Sequence, residues 1–346
     1  MRFFFSTNRI LKIKSYFVIL QSNIFPATMS NKSNDQGRAF EYACIMNLYE
    51  QISKIRTCIL NKEDGFTSAH RAWNTLSETD KKIYHISSLA AVREIFLMEP
   101  RITEVSPDPV ELLIQIDGQG EKGDVRDILI IRHKIEWEIG LSLKHNHFAV
   151  KHSRLGAKLD FGKSWYGIPC SKEYWAAIRP IFDYLTKEKD LGKTWNQLPD
   201  KEGDVYVPLL NAFMDEIQLQ SDLHPEVPSK MVEYLLGKYD FYKVISIDRE
   251  ELTRVQGFNM YGSLNQPSLS GKVAEIEVPL VALPTRIVVM EFAPNKNNTI
   301  NVYMDGGWQF SFRIHNAATL VETSLKFDIQ IVGMPTAILT INCLWR

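Results

Sequence analysis

The sequence predicts an α/β protein in which a mixed sheet is flanked by helices and followed by a β-rich C-terminal part. Three observations carry that expectation. Apolar residues recur at three- and four-residue steps between Gln36 and Leu97, which is the period of helices with one buried face. Between Val110 and Lys144, apolar runs separated by turn residues read as three successive strands. From about Gln256 onward, six short β-type runs follow one another, punctuated by Pro, Asn and Gly. The chain accordingly divides into a leader over 1–28, a core over 29–255 and a β-rich subdomain over 256–346.

The leader mixes Phe, Ile and Leu with Arg9, Lys12 and Lys14, which interrupt the apolar core of a signal peptide. Met29 opens a polar run suited to the start of a protein, so residues 1–28 are expected to be dispensable. Asp35 is the expected N-cap of a first helix running to about Leu60, with Cys44, Ile45, Leu48, Ile52 and Ile55 on its apolar stripe. Glu41 lies on that same stripe, where a carboxylate must pair, reach water or bind something. A second helical region, about Thr67 to Leu97, breaks at the capping-type sequence Ser77-Glu78-Thr79-Asp80. A strand over Val110–Ile116 and a turn at Asp117–Gly120 follow. Further on come helices at Ser171–Lys187, Val207–Gln218 and Ser229–Tyr239, then a strand at Lys243–Asp248. The expected C-terminal strands are Glu275–Leu283, Thr285–Ala293, Thr299–Met304, Trp308–His315, Ser324–Val332 and Ala337–Cys343.

Composition excludes several classes. Forty Lys and Arg balance 41 Asp and Glu, so net charge gives no sign of a polyanionic partner. No apolar run reaches the ~18 residues of a membrane span. The four cysteines have neither zinc-knuckle nor disulfide spacing, which suits a reducing cytoplasm. There is no Walker loop, GxSxG or HExxH. Charge is local instead: Lys144 to Lys163 holds five Lys/Arg against the single acid Asp160.

That basic run follows the most informative stretch, residues 124–154. On its second strand Glu138, Gly140, Ser142 and Lys144 share one face, and Trp137, Ile139, Leu141 and Leu143 share the other. An Asp on one strand, an acid and a Lys on the next, a helix carboxylate and a cationic apron suit hydrolysis of a phosphodiester. Carboxylate oxygens can hold a hard cation such as Mg²⁺, and an ammonium can act on the attacking water or the developing charge. His133, His145, His147 and His152 lie nearby, but alternation turns His145 and His147 away from Lys144, so phosphate contact or packing suits them better than zinc.

This arrangement resembles the PD-(D/E)xK nuclease core, and more closely the HaeIII-type restriction endonuclease family. The segments that carry the resemblance are QGRAFEYAC at 36–44, GDVRDILI at 123–130, EIGLSLKHNHFAVKHSRLG at 138–156 and SFRIHNAATLVETSLKFDI at 311–329. The resemblance implies a restriction-endonuclease-like mixed sheet and a Mg²⁺-dependent type II endonuclease that cuts double-stranded DNA, with GGCC as the expected site. It also implies a partner methyltransferase that protects the host's copies. On this pattern Asp127 is the catalytic Asp, with Asp124 as competitor, and Lys144 is the motif lysine. Ser142 stands where the motif has its acid, so the second metal-binding carboxylate must come from Glu138, Glu41 or Asp160. Glu41 resembles the helix glutamate that completes metal sites in other nucleases of this core.

Lys151, His152 and Arg154 are the expected phosphate contacts, and Arg313, His315, Asn316 and Lys326 the expected DNA contacts of the C-terminal part, where an Arg can read guanine. A palindromic target suits a two-fold dimer. Two other readings stay open at this point. One is a DNA repair or recombination nuclease on the same core; the other is a non-catalytic DNA-binding module, which Ser142 keeps in view.

Overall fold

A computed structural model describes residues 29–116, 123–146 and 149–345. The leader, the Asp117–Gly120 turn and His147 lie outside the described residues, as does the His152 side chain. The chain opens with α1 (Met29–Ser53), β1 (Cys58–Leu60), α2 (Asp64–Asn74), α3 (Glu78–Met98) and α4 (Pro100–Thr103). Then come β2 (Val110–Ile114), β3 (Ile128–Arg132), β4 (Trp137–His145) and β5 (Ala149–Gly156). Helices α5 (Phe161–Trp165), α6 (Lys172–Asp190), α7 (Val207–Leu223) and α8 (Val227–Leu236) follow. The remainder is β6 (Phe241–Ile247), β7 (Leu252–Phe258), β8 (Ile287–Phe292), β9 (Thr299–Met304), β10 (Gln309–His315), β11 (Ser324–Gly333) and β12 (Thr340–Leu344).

Several boundaries differ from expectation. Asp35 is inside α1 rather than its N-cap, because Ser30–Asn34 contains no Gly or Pro to stop the helix from starting earlier. The helix ends at Ser53, and Cys58–Leu60 pairs in parallel with Val110–Leu112 instead. The break at Ser77 is as expected: its side chain accepts from Asp80 N and caps α3. Strand β7 was not anticipated, and Glu275–Leu283 forms no strand. Two of that segment's residues, Val278 and Val281, are instead buried as loop anchors.

Seven strands make a mixed sheet in the order β1-β2-β3-β4-β6-β7-β12, and five make an antiparallel sheet in the order β5-β11-β10-β9-β8. The strands expected beyond residue 256 thus divide between the sheets, with β12 joining β7. In return β5, which carries the basic segment, edges the second sheet beside β11. One apolar core packs α1, α2 and α3 on the Ile139/Leu141/Leu143 face of the large sheet. A second core fills the space among α5 to α8, the five-stranded sheet and Phe241 and Phe258 of the large sheet's other face. No helix among the described residues is long and apolar enough to cross a membrane.

Candidate active site

The large sheet has a notch at the place the sequence singled out. Ile128 pairs with Leu141, and β4 runs on to His145 with β6 as its neighbour. At the notch, Asp127 N donates to Leu141 O (2.7 Å), and the Asp127 side chain turns back so that its Oδ2 accepts from Leu143 N (2.6 Å). Lys144 Nζ lies 3.5 Å from the same oxygen, the two side chains being only partly exposed. Asp127 is therefore locked to β4 by backbone and side chain, and brought against the ammonium two residues past Ser142.

The third member arrives from the other face of the sheet. Glu41, on α1, is 8 % exposed and accepts from Arg38 Nη1 at 2.8 Å, one helical turn earlier. Burial and then the negative charge of Asp127 push the Glu41 carboxyl up to about 8, against the pull of Arg38 and Lys144. A carboxylate that resists its charge because it is buried, with another carboxylate close by, is the electrostatic condition that a bound cation relieves. Two hard oxygen donors suit Mg²⁺, which keeps several waters and takes few protein ligands. Among the described residues no three of His, Cys, Asp and Glu come together as a metal-binding group.

The other acids lie elsewhere. Asp124 accepts from Arg126 Nε (2.8 Å) and Nη2, and Glu138 accepts from the same Nη2 at 2.9 Å. The Arg126 stem crosses directly over Gly140, where an added Cβ would fall 2.2 Å from its Cδ. So Asp124 and Glu138 anchor one arginine that braces the strand upstream of Asp127. Asp160 caps α5, accepting from Lys163 N (2.9 Å) and Cys170 N (3.1 Å). His145 lies tilted against the Tyr84 ring, with centroids 4.6 Å apart, and pairs with Asp248 at 2.9 Å. Ser142 is buried and shares a small cavity with Lys144 and with Lys243 of β6.

Beyond this cavity the basic residues line two adjoining clefts between β5, α5 and α8. One, of about 650 Å³, is bordered by Lys151, Arg154, Lys326, Asp160 and Tyr234. The other, of about 320 Å³, shares Lys151 and Tyr234 and adds Lys163, Lys230 and Lys238. Lys151 sits 3.7 Å over the Tyr234 ring and donates to Tyr234 O. Register sets Arg154 opposite Lys326 across the β5–β11 pair, which brings two segments distant in sequence to one rim. Arg313 pairs with Asp328 at 3.0 Å on the exposed face of β10 and β11. His315 Nδ1 lies 3.0 Å from Asn316 O, and the Asn316 amide donates to Ala318 O.

Sequence reasoning passed over Arg38 and Lys243. The first was legible as a base three residues before Glu41 on one helix face. The second was legible as a lysine inside an otherwise uncharged strand, an uncommon residue to bury.

Comparison with known proteins agrees with the resemblance. No solved structure matches the chain. The family of the HaeIII restriction endonuclease matches residues 37–335. The type II restriction enzyme HaeIII of Haemophilus aegyptius is 48 % identical over 319 residues, which span 92 % of this chain and 100 % of that enzyme. Residues 37–335 include Arg38, Glu41, Asp127, Lys144 and the clefts, so the chain carrying this site belongs to the HaeIII restriction endonuclease family.

Proposed function

We propose that this protein cuts double-stranded DNA at GGCC, with Asp127 and Glu41 as the residues that would hold Mg²⁺. As a member of the HaeIII restriction endonuclease family it is a type II restriction endonuclease, a site-specific deoxyribonuclease. One observation supports the assignment of residues: Lys144 and Asp127 meet at 3.5 Å in the sheet notch, with Glu41 electrostatically coupled to both.

In hydrolysis a water forms a new bond to phosphorus as the bridging P–O bond breaks, and the leaving oxygen takes up a proton. Bound Mg²⁺ supplies Lewis acidity at the phosphate and lowers the pKa of water. The Lys144 ammonium faces the attacking water and the charge building on the phosphoryl oxygens. Asp127 holds Lys144 in place through their ion pair while itself fixed by Leu143 N. Arg38 keeps the Glu41 side chain aimed at the notch. Glu138 and Asp160, engaged with Arg126 and the α5 N-terminus, have structural work and are set aside as metal ligands.

Lys151, Arg154 and Lys326 would follow backbone phosphates along the clefts, which fixes register on the duplex rather than reading bases, and His152 stays a candidate for the same role from its place in the sequence. Arg313, His315 and Asn316 stand on the second sheet as candidates for further DNA contact. A palindromic target favours a homodimer, and self-protection requires a methyltransferase acting on the same site, both in the bacterial cytoplasm.

The test is digestion of plasmid DNA in Mg²⁺ and in EDTA, with sequencing of the ends. Discrete fragments ending within GGCC, produced only with the metal, are expected. Cleavage confined to branched or damaged DNA, or salt-sensitive binding with no cleavage, would overturn the reading.

A further inference from the structure

We propose that His145 is a positioning residue of the cleavage site: gripped by Asp248 and Tyr84, it fixes the Lys144 end of β4 against the helices behind the sheet. The inference rests on the reading of Asp127 and Lys144 as the cleavage site. Neither of the gripping residues belongs to that reading. Tyr84 comes from α3, and Asp248 from the turn between β6 and β7.

Strand β4 is supported unevenly along its length. Its pairing with β3 covers Trp137 to Leu141, and from there on its strand neighbour is β6, with Lys144 opposite Ile245 and His145 opposite Ser246. On the side that β3 leaves, the Asp127 carboxylate covers Leu143 N. Lys144 is then the last residue but one of a strand end with a strand on one side, where fraying begins. Chemistry does not tolerate that looseness. A displacement of about 1 Å in a catalytic group can cost about 100-fold in rate.

Asp248 gathers the strand end from outside. Its Oδ2 accepts from Asn146 Nδ2 (3.0 Å) and lies 2.9 Å from His145 Nε2. Its Oδ1 accepts from Ser246 Oγ (3.2 Å), and its own N–H donates to Asn146 Oδ1 (3.0 Å). Asn146 N in turn donates to Ser246 O at 2.9 Å. One carboxylate therefore ties the last residue of β4, and the residue after it, to the end of β6. Strand alternation, which turns Lys144 to the notch, turns His145 the other way, into the helices. There its Nδ1 lies 3.2 Å from Tyr84 Oη. The ring meets Phe40 as well as Tyr84, at 6.1 Å between centroids, and those two rings meet each other edge-on at 5.9 Å. Phe40 and Tyr84 are both buried, so the anchor is firm. It is also well placed, because Phe40 adjoins Glu41 on α1. With both ring nitrogens engaged, His145 cannot turn without breaking a contact, and Lys144 is held from one residue away.

The experiment measures single-turnover cleavage of a GGCC duplex in Mg²⁺ by the parent, Lys144→Ala, Asp248→Ala, His145→Phe and the double variant Lys144→Ala/Asp248→Ala. Amide hydrogen exchange is followed on the same proteins without DNA or metal. His145→Phe keeps a ring beside Phe40 and Tyr84 but grips neither Asp248 nor the Tyr84 hydroxyl. Asp248→Ala and His145→Phe are each expected to cleave about 30- to 100-fold more slowly than the parent. Amides of Leu143–Asn146 are expected to exchange faster in both, while those of α7 keep the parental rate. Because Asp248 acts through Lys144, the double variant is expected to cleave within about threefold of Lys144→Ala alone. Losses that multiply in the double variant would overturn the proposal. So would Asp248→Ala cleaving within about threefold of the parent, or exchange that rises equally throughout the chain, which marks a merely structural residue. If Asp248→Ala does not fold, Asp248→Asn and Tyr84→Phe are read by the same criteria. A parent that does not cut at GGCC, or a Lys144→Ala that cuts as fast as the parent, is a failure of the underlying reading rather than of this one.

Discussion

Replacing Glu41 by Gln keeps the side chain's shape and its contact with Arg38 but removes a charge that folding resists. The Glu41 carboxyl moves from 4.5 to about 8 on folding, driven first by burial and then by Asp127. Between those values the folded state holds more protons than the unfolded chain. Stability in the absence of metal therefore falls as pH rises through that window and levels off above about 8. At about 1.4 kcal/mol per pH unit, ionisation of the unfolded chain at pH 7 sets the folded state back by up to about 3 kcal/mol. Glu41→Gln abolishes this slope. In EDTA at pH 7 the variant should be more stable by about 2–3 kcal/mol, an increase in Tm of roughly 5 °C, while at pH 5 the two proteins should differ by less than about 1 kcal/mol. Mg²⁺ should stabilise the parent by mass action and leave the variant almost unmoved, so the gap closes as metal is added. Thermal melts from pH 5 to 9, with EDTA and with Mg²⁺, read out all of this. A parental Tm that ignores pH over that range, or a variant less stable than the parent at pH 8, would refute the reasoning.

The remaining expectations concern the notch and its surroundings. Asp127→Asn and Lys144→Ala should each slow plasmid cleavage by about 100- to 1000-fold, whereas Asp124→Asn and Glu138→Gln, whose partners are Arg126 and, for Asp124, also Gln115, should stay within about tenfold. A time course of nicking and linearisation measures both pairs, and equal losses at Asp124 and Asp127 would contradict the geometry. Gly140→Ala should lower stability by about 1–3 kcal/mol, because its Cβ needs the space held by the Arg126 stem. Denaturant titration checks that value, and a neutral substitution would show that Arg126 can leave its place freely. Single alanine substitutions at Lys151, Arg154 and Lys326 should each reduce the slope of log affinity against log salt by about 1. An unchanged slope would remove that residue from the DNA path.

Local pattern made much of the site readable, because a strand's two-residue period fixes which side chains share a face. That Glu138, Gly140, Ser142 and Lys144 share a face followed directly, whereas the Arg126 stem lying over Gly140 did not. Choosing between Asp124 and Asp127 required knowing where β3 begins, since both acids precede it and only Asp127 can fold back onto Leu143 N. Glu41 was visible as an acid on an apolar stripe, yet its approach to Asp127 depends on how α1 crosses the sheet. Lys243 could be noticed in its strand, but not its place beside Ser142. Its strand is some hundred positions from β4 in sequence, and parallel pairing across that separation leaves no periodic signature. The C-terminal strands were legible one by one from their turns, but not their allocation to two sheets, which depends on long-range register.

The exchange of edge strands between the sheets bears on how such an enzyme could acquire a new target. Strand β5 follows β4 closely in the chain and lies in the second sheet, while β12, after that sheet is complete, returns to the first. Neither layer can be lifted out as a cassette. Cutting the chain before β8 would leave β5 without its partner and expose the edge of β7. Grafting a different second sheet would have to rebuild the segment joined to Lys144 at the same time. On the proposed DNA contacts of Arg313, His315 and Lys326, altered recognition is most accessible through point changes on β10 and β11, and shuffling of whole segments should yield inactive chains far more often than re-targeted ones.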